Sequence, residues 1–387
     1  MFIKRSNPKY LSEELFENAK KDIHNYKHLN DDEFYFNRGS AAISFFVTSY
    51  ANFLKRSIKV CMQSFTCYSV YEALLHENID ILILDVKLQD FSISLEELKK
   101  HKDIDVLLLQ HYQGLYNIEY EEICSYCHEN NILVVEDLAH FCQYSYKPIL
   151  SDVAIYSYSL DKPITCMYGG YIKFNYINKD FLSFFKLLYG NLKVESPRKS
   201  KLDLKLLEFL YKYSNPDTYI ANLNQYDILQ ILLAVFKEKS VYKMANGLIF
   251  NFFILLKKIY LRLAPKKENK INIKRINHIK IDFVKAQESI YNAKKPYYIN
   301  LQNMIKDRIE KIYDIKINDC DEWNRMSFVR ENFKIDDIEA SNYNWSSIVV
   351  GDKTQKDYPN SSYLSKNIVN FPIWTDKILQ TKALNDK

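Results

Sequence analysis

The chain reads as an α/β protein built on a mainly parallel, doubly wound sheet. Two apolar, β-branched runs, ILVVE (Ile132 to Glu136) and VAIYSYS (Val153 to Ser159), show no polar alternation. Strands buried on both faces have that pattern. Between residues 37 and about 190 such runs alternate with helical patterns, as crossover connections in a parallel sheet require. Each of the two runs also leads into reactive chemistry, Asp137 after the first and Lys162 soon after the second. Ligands of open parallel sheets bind outside the carboxyl ends of the strands.

An acid and a lysine delivered to that rim from neighbouring strands suit pyridoxal phosphate. The cofactor needs an amine to bond its aldehyde and a carboxylate to keep its ring nitrogen protonated. EDLAH, SYSLDKP and YGG, with Asp137, His140, Ser157, Lys162 and the pair Gly169 and Gly170, resemble the motif block of the DegT-type sugar aminotransferases. RGSAAISFF (Arg38 to Phe46), QSFTCYSVYEALL with ILILDV after it, and LLQHYQG with His111 and Gly114 are similar to upstream pieces of the same family. NFPIWTDKI resembles its closing segment. The likeness runs well over residues 30 to 190 and loosely over 275 to 380.

The resemblance implies pyridoxal phosphate fold type I: a large sheet domain, a smaller C-terminal α+β domain and, here, an inserted helical segment. It implies Lys162 as the cofactor's amine and the mover of protons, Asp137 against the ring nitrogen, and His140 against the ring or its phenolic oxygen. Ser157, with the backbone of Gly39 and Ser40 at a helix start, would hold the phosphate. Three positions depart from the family. Cys67 stands where an aromatic usually stacks on the ring, so Cys67 or the adjacent Tyr68 must substitute. Tyr168 replaces an acid before the glycine pair, and Asn277 or His278 of INHIK would serve for an Asn-x-Arg element contributed by the partner subunit. Sugar 3-dehydratases of the family carry His at the lysine position, so Lys162 favours amino transfer.

The expectation is a transaminase taking an amine from glutamate to a keto-deoxysugar carried on a nucleotide, in surface-polysaccharide or lipopolysaccharide assembly. A homodimer is implied by the resemblance. Two alternatives stay open: a cofactor-fold scaffold or regulator without turnover at a membrane surface, and an aminotransferase acting on a lipid-linked sugar.

Composition agrees. An ordinary chain of this length carries about 7% glycine, on the order of 27 residues, yet this one has 7. Four of those, Gly39, Gly114, Gly169 and Gly170, fall in the motifs. A net charge of +5 is too mild to call for nucleic acid. Seven cysteines, an odd number, and no apolar leader in MFIKRSNPKYLSEELF suggest reduced thiols and a cytoplasmic location. CSYCH (Cys124 to His128) matches a haem-attachment pattern, but it lies in a helical stretch feeding the Asp137 strand. It reads as core helix, with no metal site expected.

Four parts are expected: a helical lead over 1–36, the cofactor domain over 37–190, a helical insertion over 191–275, and a long helix with a small C-terminal domain over 276–387. Within the insertion, DILQILLAVF (Asp227 to Phe236) precedes the apolar block Leu248 to Leu256 and a basic tail. Between Lys257 and Arg275 there are eight Lys/Arg and one Glu. The block is shorter than the ~20 residues a bilayer span needs. It reads first as a helix packed on the body or at a dimer contact. The alternative is peripheral membrane contact through 246–275 at the inner face.

Overall fold

The computed structural model describes residues 11–20, 33–142, 150–160, 162–214, 271–320, 323–331 and 357–371. Among them, seven strands form one sheet in the order β1-β7-β6-β5-β4-β2-β3. These are β1 (Glu33–Phe36), β2 (Ile58–Gln63), β3 (Ile79–Leu84), β4 (Val106–Gln110), β5 (Leu133–Asp137), β6 (Val153–Ser157) and β7 (Gly170–Phe174). The four pairings from β3 to β6 are parallel, and β7 runs antiparallel between β6 and β1. Every residue of VLLLQ in β4 and VAIYS in β6 is buried, which is why neither run alternates.

Helix α2 (Gly39–Leu54) crosses the β1, β6 and β7 side of the sheet. It buries Ala41 and Ala42 near its start and Phe45 and Phe46 further on, beside α6 (Lys179–Gly190). Phe34 of β1 sits edge-on to Phe174, Phe185 and Tyr189 at centroid distances of 5.5, 4.9 and 5.0 Å. Each such pair adds about 0.5–1.5 kcal/mol beyond its buried area. The cluster ties the antiparallel edge to α6, whose Phe185 and Tyr189 in turn meet Phe45 of α2 at 5.0 and 6.4 Å.

The opposite face carries α5 (Tyr120–Glu129) and, further along, α1 (Glu13–Lys20), α7 (Pro197–Ser214) and the long α8 (His278–Tyr313). At 36 residues α8 is about 54 Å long. Pro296 lacks the N–H for one rung of the helix. Buried side chains on both sides of it, Tyr291 and Leu301 among them, keep the helix continuous. Beyond α8, β8 (Met326–Val329) pairs antiparallel with β9 (Ile368–Phe371), preceded by α9 (Pro359–Asn367). The Asp85 carboxylate accepts the Asn360 and Ser361 N–H groups at 2.9 Å, capping α9 from the large domain.

Two expected boundaries move. The helical lead stops before residue 33, because EFYF pairs with β7 and closes the sheet edge. The flanks of the expected insertion belong to the body: α7 packs on α1 and α8, and Arg275 exchanges backbone hydrogen bonds with Lys193 and Glu195. Asp227 to Phe236, the block Leu248 to Leu256 and most of its basic tail lie outside the described residues. Among the described residues, no helix is long and apolar enough to cross a membrane. Cys124 and Cys127 are buried in α5, as a core helix requires, and burial pushes the Cys127 thiol up to about 12.

Candidate active site

β5 and β6 are adjacent parallel strands, so their carboxyl ends deliver Asp137 and the Lys162 turn to one rim. Asp137 is the last residue of β5 and only 2% exposed. One carboxylate oxygen accepts the Ala139 N–H at 3.0 Å. Burial raises its pKa above the usual carboxylate range, against opposing pulls from that N–H and from Lys162. Beside it in register is Gln110, the end of β4, which accepts the Thr66 hydroxyl hydrogen bond.

Lys162 is half-buried in a turn closed by its N–H to the Ser159 carbonyl at 3.1 Å. The rest of that loop is gripped by α8. The Thr165 N–H donates to Gln287 Oε1 at 3.1 Å, and Gln287 Nε2 donates back to the Thr165 carbonyl at 2.7 Å. Both residues are fully buried. A lysine carried on an otherwise irregular loop is thereby held by a rigid helix.

The start of α2 lies against the end of β6 and the start of β7. A Cβ on Gly39 would stand 3.1 Å from Ser157 Cβ and 3.2 Å from its Oγ. One on Gly170 would fall 2.4 Å from the Arg38 carbonyl oxygen. At Gly170 only glycine lets the backbones meet, while at Gly39 a side chain would require Ser157 to give way by a few tenths of an ångström. Arg38, the N-cap of α2, makes no side-chain capping hydrogen bond, so the first-turn N–H groups of Gly39 and Ser40 receive no cap from that residue. An anion fits there, with the Ser157 hydroxyl, 3.2 Å from Ser159 Oγ, at its flank. The Tyr168 carbonyl, just before the glycine pair, accepts from buried Lys280, itself paired with Asp203 and Glu195 at 2.6 and 2.9 Å.

His140 is 2% exposed, and its Nδ1 accepts the Gln113 N–H at 3.1 Å. The neutral ring then carries its proton on Nε2. Cys67 is half-buried at the N-cap of α3 (Tyr68–Leu74), its Sγ 3.1 Å from Ser69 Oγ. Tyr68 is 56% exposed, with its ring beside Tyr71. Asn277 is the N-cap of α8, accepting the Ile279 N–H and donating to the Glu195 carbonyl. Its side chain thus bonds within its own chain and not to Gly39, Ser40 or Ser157.

Sequence reasoning missed Thr66, Gln110 and Gln287. Gln110 carried a legible signal, since it is the first polar residue after VLLL and ends a buried strand as Asp137 does. Gln287 carried none, lying 122 residues from its partner.

Residues 14–178 match the model of the DegT/DnrJ/EryC1/StrS aminotransferase family. No curated protein matches the chain in sequence. Solved structures share its fold at low identity. E. coli GDP-4-keto-6-deoxy-D-mannose-3-dehydratase with bound hydrated PLP is 12% identical with a TM-score of 0.58, over 98% of this chain and 99% of that one. A DegT DnrJ EryC1 StrS aminotransferase from Brucella abortus is 13% identical with a TM-score of 0.54, over 97% and 90%. 3-Amino-5-hydroxybenzoic acid synthase is 12% identical with a TM-score of 0.56, over 92% and 84%.

Proposed function

We propose that this chain belongs to the DegT/DnrJ/EryC1/StrS aminotransferase family, whose model matches residues 14–178, and that it moves an amino group from a donor such as glutamate to a keto-deoxysugar carried on a nucleotide. One observation carries the reading: a buried acid and a lysine share the rim of adjacent strands, beside a helix start packed too closely on the Gly170 backbone to admit a side chain there. Pyridoxal phosphate supplies a reactive aldehyde and an electron-withdrawing ring to such a site.

The residues present fit that group. Gly39 and Ser40 N–H and the Ser157 hydroxyl would hold its phosphate. Asp137 would hold the proton on its ring nitrogen. That positive partner offsets the burial which otherwise disfavours the carboxylate. His140 would offer Nε2–H as a donor to the phenolic oxygen, and Cys67 or Tyr68 would border the ring. Lys162 would bond the cofactor, and its freed amine would carry a proton between the substrate carbon and the cofactor's former aldehyde carbon. Gln287 keeps that amine in place through Thr165. Asn277 of a second copy, in a homodimer, would approach the phosphate only by giving up its cap on α8.

A nucleotide-linked substrate is favoured by the neighbouring fold of an enzyme acting on a GDP-linked keto-deoxymannose. Use of the product in surface-polysaccharide or lipopolysaccharide assembly belongs to the same proposal, as does a cytoplasmic location. The purified protein should absorb in the visible, lose that band on adding glutamate, and regain it with a nucleotide-linked ketosugar. Colour that glutamate leaves unchanged would contradict amino transfer from that donor. Colourless protein that takes up no cofactor would contradict the whole reading.

A further inference from the structure

The turn after β4 is built in an unusual way, and what it touches suggests a purpose. Gln113 has φ 54° and ψ 22°, a left-handed conformation that side chains other than Gly, Asn and Asp seldom adopt. Its backbone N–H is the donor to His140 Nδ1. Its carbonyl and its side-chain oxygen are held by the small C-terminal lobe. The Asn324 N–H donates to the Gln113 carbonyl at 2.7 Å, and Asn324 Nδ2 donates to Gln113 Oε1 at 2.8 Å.

The grip extends to the neighbours. The Tyr112 hydroxyl donates to Asn370 Oδ1 at 3.0 Å, and the Cys320 thiol lies 3.1 Å from the Gly114 carbonyl. The segment bearing Asn324 is pinned in turn, because Trp323 and Gln302 of α8 exchange backbone and side-chain hydrogen bonds at 3.1 and 3.4 Å. Gln113, Asn324 and His140 are all buried, so water does not substitute freely for any of these bonds.

We propose that Asn324 and Gln113 are positioning residues for His140. The small lobe locks Gln113 into its left-handed turn, and the aligned Gln113 N–H fixes the imidazole proton on Nε2. The sequence separation of 211 residues between Gln113 and Asn324 makes this a link between the two domains. A neutral ring whose Nδ1 accepts carries its proton on Nε2, the form that can donate to a phenolic oxygen. The purpose rests on the proposed function; the tautomer does not.

The test is nitrogen-15 NMR of histidine-labelled protein prepared without cofactor, with His140 assigned by its loss in His140→Asn. Wild type should show His140 as the Nε2–H form. Gln113→Asn keeps the N–H and itself favours the left-handed region, so it should leave the signal unchanged even though its shorter side chain gives up the bond from Asn324. Gln113→Val, β-branched and averse to that region, should give mixed tautomers, and Asn324→Ala should move the same way. Pyridoxal phosphate affinity should fall roughly tenfold in those two variants, as when a partner orienting a ligating histidine is lost. A wild-type Nδ1–H signal overturns the proposal, as does an unchanged tautomer in Asn324→Ala, which serves alone if Gln113→Val does not fold. Protein that binds no cofactor, yet shows these tautomer shifts, would refute the proposed function and leave the positioning intact.

Discussion

Two consecutive acids on β5 have opposite fates. Glu136 faces the α5 side, where three donors meet it: His111 Nε2 at 2.9 Å, the Tyr120 hydroxyl at 3.0 Å and the Ser151 hydroxyl at 2.7 Å. The Asn117 N–H donates to His111 Nδ1, so the neutral ring directs its own proton at Glu136. Asp137 faces the rim with the Ala139 N–H on one oxygen, and burial works against its charge. Strand alternation separates the two environments by one residue. Glu136 is a core acid met by three donors, whereas Asp137 accepts one N–H at the rim with burial working against its charge, an environment that a cationic partner would complement.

That contrast breaks most sharply on activity. Lys162→Ala should lower turnover roughly 10⁴-fold and remove the visible band, with little change in melting temperature; steady-state rates beside a spectrum check both. Asp137→Asn should lower turnover by about 10²–10⁴-fold while the apoprotein folds as before. Glu136→Ala should do the reverse. It strands His111, Tyr120 and Ser151 and should cost roughly 3–5 kcal/mol of stability, read by denaturant unfolding.

The pH dependence sharpens the pair further. The folded pKa of Asp137 is raised, so folded protein binds more protons than unfolded protein between the unfolded value and the raised one. Its contribution to stability is fully present below the unfolded value and is lost as pH rises through that window. Asp137→Asn should therefore be more stable than wild type as apoprotein at neutral pH, with the difference vanishing in acid. A difference that grows in acid would reverse the assignment. The smallest effect expected is at Gln287→Leu, which removes the reciprocal bonds to Thr165. A cost of about 1–3 kcal/mol and a lower rate with KM little changed would mark a loosened lysine loop.

The rim was readable because burial on both faces leaves a strand no polar residue until it ends. Asp137 and the turn to Lys162 stood out against such runs, and Gly39 and Gly170 stood out in a chain so poor in glycine. β1 was not readable, since four residues are too few for periodicity and its partner β7 lies more than a hundred residues on. The Gln287 and Thr165 clasp, like the Asn324 and Gln113 clasp, joins polar residues that no local pattern distinguishes. Cys67 and Tyr68 were placed by resemblance alone. The structure sets one at a helix cap and the other largely in solvent, and the resemblance carries no account of that exposure.

The most direct measurement is reduction with borohydride after incubation with pyridoxal phosphate, followed by peptide mass analysis. A single phosphopyridoxyl group on the peptide bearing Lys162 is the predicted result. No adduct, or one seated on another lysine such as buried Lys280, would contradict the assignment of this rim as the catalytic site.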